Sequence, residues 1–213
     1  MTETLVQAYN YLAKGGPVMI LIGLCSIVAV AIVIERFLAL KKTVVFPKPL
    51  MRSFYESLRN KDWQSIAQLS QVYDVPLTRL SALVLSQNNS DYQQKKDAVE
   101  MQGRLELEGL EKNLNLLGSI ASISPLLGLL GTVTGMIKTF AAIKLVGVGD
   151  PLELSAGISE ALLNTAAGLL VAIPAYVLHR YFYKKIDHYG LKLEELSQSL
   201  LNHFKSTEKD KRL

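Results

Sequence analysis

Residues 157–176 read GISEALLNTAAGLLVAIPAY, and Glu160 is the one charged side chain among them. A carboxylate in a stretch otherwise fit for lipid is costly, so the reading of this run decides both the solvent the chain folds in and where its chemistry lies. The run is not alone. Charge-free windows extend over Gly15–Ile34, Asn113–Ile137 and Ala161–Leu178 of the 213 residues. At ~1.5 Å per helical residue, windows of about 18–25 residues match the ~30 Å hydrocarbon core of a bilayer. The pattern predicts an all-α membrane protein with three transmembrane helices, the second and third extended into a cytoplasmic helical bundle.

The net charge is +4, and its distribution is more informative than its sum. Bases from Arg36 to Lys112 and from Arg180 to Lys192 flank one side of the spans, whereas Lys14, Lys138 and Lys144 fall on the other. The positive-inside rule then gives seven segments: an external N-terminus 1–14, a first span 15–37, a cytoplasmic helical region 38–112, a second span 113–140, a short external loop 141–152, a third span 153–179 and a cytoplasmic C-terminal helix 180–213. The first window has only Lys14 before it and runs into Glu35 and Arg36 without a small-residue cleavage pattern, so it is expected to stay as an anchor. Glu35 and Arg36 are expected to mark the interface, with Arg36 snorkelling to headgroups. Cys25, the single cysteine, reads as a small buried thiol.

Between the first two spans, Pro47 and Pro49 turn the chain, and short helical patterns follow over 51–60, 62–72 and 76–87. Asn88, Asn89 and Ser90 form a turn with Ser90 as the next N-cap. From Asp91 onward there is no proline, and Leu107, Leu110, Leu114 and Leu117 mark one face of a helix expected to run unbroken into the second span. Leu193, Leu196, Leu200 and Phe204 repeat the pattern after the third. Such stripes suit packing between subunits or within the chain. The terminal STEKDKRL is expected to fray.

Two further stripes lie inside the spans. Ala121, Pro125, Gly128, Thr132, Gly135 and Thr139 share a face of the second helix, and Gly157, Ala161, Asn164, Gly168, Ala172 and Ala175 share one of the third. Lipid gives helices little hydrophobic reason to associate, so small residues matter because they let backbones approach. Gly128, Gly131, Gly135 and Gly168, with the helix-kinking Pro125 and Pro174, are the expected packing positions. Asp150, Pro151 and Glu153 read as N-cap, N1 and N3 of the third helix, which places Glu160 about ten residues, or ~15 Å, along it. It therefore sits too far in to complement the helix dipole. Two readings stay open: a carboxylate solvated at the outer headgroups, or one facing a subunit interior where it holds or passes a proton. Thr132 and Thr165 do not titrate but, with Asn164, can hydrogen-bond water or a partner's carboxylate. Either threonine can instead spend its hydroxyl on its own helix.

Other chemistries fit poorly. GLLGTVTGMIKT has no lysine directly after its second glycine and no preceding strand, so it is not a phosphate loop. His179, His188 and His203 lack cysteine or acid at ligand spacing, so no metal or other cofactor is expected. One glutamate without a base or second acid does not make an intramembrane protease. The bases are interleaved with acids, which disfavours nucleic acid.

SPLLGLLGTVTGMIKTF (124–140), GISEALLNTAAGLLVAIP (157–174) and the early GGPVMILIGLCSIVAVAIVIERFLAL (15–40) together resemble the ExbB, TolQ and MotA proton-channel subunits, most of all the ExbB branch. MotA proper has four spans, which counts against a flagellar stator. The resemblance implies an inner-membrane subunit with a periplasmic N-terminus, arranged as a homopentamer around a single-span ExbD- or TolR-like partner. Such a complex would use the proton motive force to drive a TonB- or TolA-like protein. It also implies that Glu160, Thr132 and Thr165 line the pore near a partner's aspartate, and that Asn164 stands where alanine is expected. A TolQ-like role and a non-conducting scaffold are the alternatives.

Overall fold

The computed structural model describes residues 16–86, 92–146 and 151–211, and among these every regular element is a helix. In chain order they are α1 (Gly16–Ala39), α2 (Lys42–Val45), α3 (Lys48–Arg59), α4 (Trp63–Val72), α5 (Pro76–Ser86), α6 (Tyr92–Glu111), α7 (Leu114–Val146) and α8 (Pro151–Lys211). The segment 1–14, the Ser90 turn and the Asp150 cap of the sequence analysis lie outside the described residues. The chain divides into two compact units. The first comprises residues 1–34 and 113–181, the second 35–112 and 182–213.

The first unit contains the apolar helices. α1 and long parts of α7 and α8 are each long and apolar enough to cross a membrane. α1 buries Val18, Met19, Ile22, Ala29 and Ile32 on one face and exposes Ile20, Leu24, Ile27, Val30 and Ile34 on the rest, the surface expected of a helix that meets lipid on its outer side. Pro125 and Pro174 both lie inside continuous helices. Each removes one backbone donor.

The second unit is packed around Leu40, Phe46, Leu50, Phe54, Ile66, Leu77, Phe182, Ile186, Leu196 and Leu200, all buried. Pro47 and Pro49 open α3 as its N-cap and an early helical position, where a missing N–H costs nothing. α4 is capped by Asp62, whose carboxylate accepts from the Ser65 amide at 3.0 Å and its hydroxyl at 2.6 Å. Those bonds hold the carboxyl below its ordinary pKa. The stripe Leu193, Leu196, Leu200 is spent inside the chain, continuing Phe182, Ile186 and Tyr189 along α8. The Tyr189 hydroxyl donates to the Leu40 carbonyl at 2.9 Å. The helix continues to Lys211.

α5 and α6 are tied by charge. Arg79 donates to both oxygens of Glu106, at 2.8 and 2.7 Å, and also to Asp74. Burial alone would raise the Glu106 carboxyl, but the bonds from Arg79 and Gln102 outweigh it and hold the pKa below the ordinary value.

Two expectations are corrected here. The helix expected to run unbroken from residue 91 into the second span is interrupted at Lys112–Asn113, where Asn113 takes φ +63°. Asparagine tolerates this left-handed conformation better than most residues, which is how the chain breaks without glycine or proline. Nor does Arg36 snorkel. Its side chain is only 5% exposed; it pairs with Glu35 and donates to the Leu110 carbonyl at 2.9 Å. The break after α6 leaves that carbonyl without its helical partner, and a buried guanidinium needs acceptors, so each satisfies the other.

Candidate functional site

α7 and α8 run antiparallel at a separation set by glycine. A Cβ added to Gly168 would lie 2.5 Å from the Ser124 carbonyl oxygen, and one on Gly128 would lie 2.9 Å from that of Asn164. Further along, a Cβ on Gly135 would meet the Ala161 Cβ at 3.0 Å, and one on Gly157 would overlap the Thr139 hydroxyl. These pairs descend in step along both helices and fix the register of the crossing. On α8 the buried line is Ala161, Asn164, Gly168, Ala172, Ala175, as the spacing predicts. On α7 it is Ala121, Ser124, Gly128, Gly131, Gly135, Thr139, with Pro125 and Thr132 beside the seam and partly exposed. The line keeps Ala121, Gly128, Gly135 and Thr139 of the stripe read in the sequence, with Ser124 and Gly131 in the places expected of Pro125 and Thr132.

The polar side chains along this crossing behave differently from one another. Thr165 donates across it, to the Gly128 carbonyl at 3.2 Å. Thr132 donates within its own helix, to Leu129 at 2.7 Å, and Thr139 does the same to Gly135 at 3.0 Å. A hydroxyl whose proton is committed in this way still offers its oxygen as an acceptor. Asn164 is 1% exposed and presses against Gly131, where an added Cβ would come within 2.8 Å of its amide nitrogen. Its Oδ1 is buried without a hydrogen-bond partner.

Glu160 sits at the end of the crossing nearest the start of α8. Its side chain is 28% exposed, and Oε1 lies 3.6 Å from Nζ of Lys138, which is itself 61% exposed. Both atoms face Gly16 at the start of α1: a Cβ there would stand 3.2 Å from Oε1 and 3.6 Å from Nζ. Gly16 has φ +65°, so a larger residue would be strained by its backbone as well as its neighbours. Three helices therefore converge on one carboxylate with one ammonium beside it. Lys138 carries no signal in the sequence that marks it as a partner of Glu160. The two are 22 positions apart, and only the register of the crossing brings them together.

Thr132, Thr165, Asn164 and Glu160 thus lie on one helix pair, spread along it rather than gathered in a pocket. The arrangement offers hydroxyl and amide acceptors at successive levels and a single acid at one end. It can support hydrogen-bonded water or accommodate a polar partner helix. It contains no nucleophile–base pair.

The sequence model of the MotA/TolQ/ExbB proton channel family matches residues 64–195. The chain belongs to that family. Among its relatives in the MotA/TolQ/ExbB family, the biopolymer transport protein ExbB of Salmonella typhimurium is 30% identical over 86% of this chain and 79% of its own length. The biopolymer transport protein exbB1 of Vibrio cholerae is 31% identical over 71% of this chain and 68% of its own. The Tol-Pal system protein TolQ of Haemophilus influenzae is 29% identical over 82% and 83%. The family match contains Thr132, Lys138, Glu160, Asn164 and Thr165, while α1 precedes it. Three apolar helices long enough to span a membrane accord with a proton channel family.

Proposed function

We propose that this chain is the channel-forming subunit of an ExbB–ExbD-like motor in a bacterial inner membrane, with its N-terminus periplasmic and its C-terminus cytoplasmic. It would assemble as a homopentamer around a single-span ExbD- or TolR-like protein and convert proton flow into work on a TonB-like protein. The observation that carries this reading is Glu160. It is the single charged side chain between Leu154 and Leu178, placed at one end of a crossing lined by Thr132 and Thr165. No second acid lies within that run, so a complete relay needs a carboxylate from a partner. Lys138 beside Glu160 favours a role in shaping the field around that acid over one in carrying the proton itself.

Moving one charge through ~100 mV yields about 2.3 kcal/mol, so mechanical work requires several translocations to be summed. Glu160→Gln should leave the complex assembled while abolishing energy coupling; a variant with full coupling would remove Glu160 from the mechanism. A TolQ-like role in the Tol-Pal envelope system is the second reading, supported by a TolQ relative matched over 82% of the chain, against 86% for the Salmonella ExbB. The partner that co-purifies with the chain separates the two.

A further inference from the structure

Glu160 is the single acid between Leu154 and Leu178 on α8, and neither α7 nor residues 16–34 of α1 carry another. A metal cation entering between these helices therefore has one anionic ligand to bind, and that ligand is already engaged. Oε1 of Glu160 lies 3.6 Å from Nζ of Lys138. The first residue of α1 closes the third side of the pair, since a Cβ on Gly16 would stand 3.2 Å from Oε1 and 3.6 Å from Nζ.

A further oxygen lies at the same end of the crossing. Thr139 follows Lys138 on α7 and gives its proton to the Gly135 carbonyl at 3.0 Å, which leaves the hydroxyl oxygen as an acceptor. That oxygen packs on Gly157, three positions before Glu160 on α8, where an added Cβ would overlap it. Carboxylate and hydroxyl oxygens are the ligands a hard metal cation takes. Here the group beside the carboxylate is an ammonium tethered to the neighbouring helix, and it competes with any free cation for the same oxygen. The remaining base on α7, Lys144, lies six positions beyond Lys138 and is exposed.

We infer that Lys138 sets the ion selectivity of this chain: its ammonium holds the Glu160 carboxylate against sodium and other monovalent metal cations while protons pass. The inference rests on the channel reading above. Along hydrogen-bonded water a proton moves as one O–H bond breaks and the next forms, so each water that gains a proton gives one up and no ion body enters the site. The paired charges of Lys138 and Glu160 cancel, and such a relay meets no net charge there. A metal cation must shed water and finds no free anionic oxygen to replace it.

The test uses the full chain assembled with its co-purified single-span partner in phosphatidylethanolamine–phosphatidylglycerol vesicles. Uptake of labelled sodium and proton flux are followed together under an imposed potential. Wild-type complex should pass protons at the same rate in sodium and in choline salts, and should take up no more sodium than empty vesicles. Lys138→Met keeps the length of the side chain without its charge and should raise sodium uptake about 5-fold above that background, the upper end for a partly exposed ion pair. Lys138→Arg should exclude sodium as the wild type does, and so should Lys144→Met. Adding Glu160→Gln to Lys138→Met should return sodium uptake to background, because the carboxylate is then gone. Should the methionine variant not assemble, Lys138→Gln is read in the same way. An assembled Lys138→Met or Lys138→Gln complex that excludes sodium as the wild type does would overturn the inference, as would sodium uptake by the wild type. Absence of proton flux in the assembled wild-type complex would instead remove the channel reading, and this inference with it.

Discussion

Gly168→Ala tests the crossing on which the site is built. The added Cβ would stand 2.5 Å from the Ser124 carbonyl oxygen and 3.1 Å from the Gly128 Cα, and both obstacles are backbone. Ordinary contact begins at 3.4 Å, so α7 and α8 must separate by about 0.9 Å at this level or shear past each other. Overpacking of this kind costs about 1–3 kcal/mol, and the upper end applies because no side chain can rotate aside. Alanine returns about 0.5–1 kcal/mol through its helix preference, leaving a net loss of about 2 kcal/mol. For a chain of this size that is a fall of about 4–8 °C in melting temperature, measurable on the purified complex by loss of the assembled peak after heating. Gly109 is the control. It is exposed on α6, and a Cβ there meets nothing within 4 Å, so Gly109→Ala should raise stability by about 0.5–1 kcal/mol. A Gly168→Ala complex that melts within about 1 °C of the wild type would refute the close crossing.

Arg36→Met should destabilise the second unit by about 1–3 kcal/mol, because it orphans the Leu110 carbonyl; hydrogen exchange of the last turn of α6 reports it, and unchanged protection would contradict the clamp. The Glu106 carboxyl is held below its ordinary value of 4.5, so its stabilising contribution is complete above that pH and is lost as pH falls through the lower folded value. Exchange protection of α5 and α6 should therefore weaken on acidification in the wild type, and more weakly in Glu106→Gln, which lacks the titrating group. Asn164→Ala removes a buried acceptor that has no partner, so the lost volume should be largely offset and stability should change by no more than about 1 kcal/mol. A loss of about 3 kcal/mol or more in thermal melts would show that the amide is bonded in the assembled protein.

The spans were legible because charge-free length is a direct consequence of bilayer thickness, and the α8 stripe because small residues fall there at spacings of three and four. The α7 stripe holds at Ala121, Gly128, Gly135 and Thr139 and is one position out at Pro125 and Thr132. Spacings of three and four both follow one helix face, so Ser124 and Pro125, like Gly131 and Thr132, fit the stripe equally well and periodicity could not say which of each pair faces α8. The interruption at Asn113 carries no glycine or proline to announce it. Arg36 was misread because its acceptor, the Leu110 carbonyl, lies 74 positions away and only tertiary packing brings it close. The Lys138–Glu160 pair was hidden for a related reason, since it follows from the crossing register and that register from glycine contacts. Thr165 illustrates what a sequence leaves open: its hydroxyl bonds across to Gly128 where a bond within its own helix was equally permitted.

The central claim is that this chain conducts protons only with a partner that completes the line begun by Glu160, Thr132 and Thr165. The direct measurement is proton flux into vesicles holding the chain alone, the chain with its co-purified single-span partner, and that same complex carrying Glu160→Gln. Flux in the second preparation alone is the predicted result. Equal flux in all three, or none in a verified wild-type complex, would contradict the account.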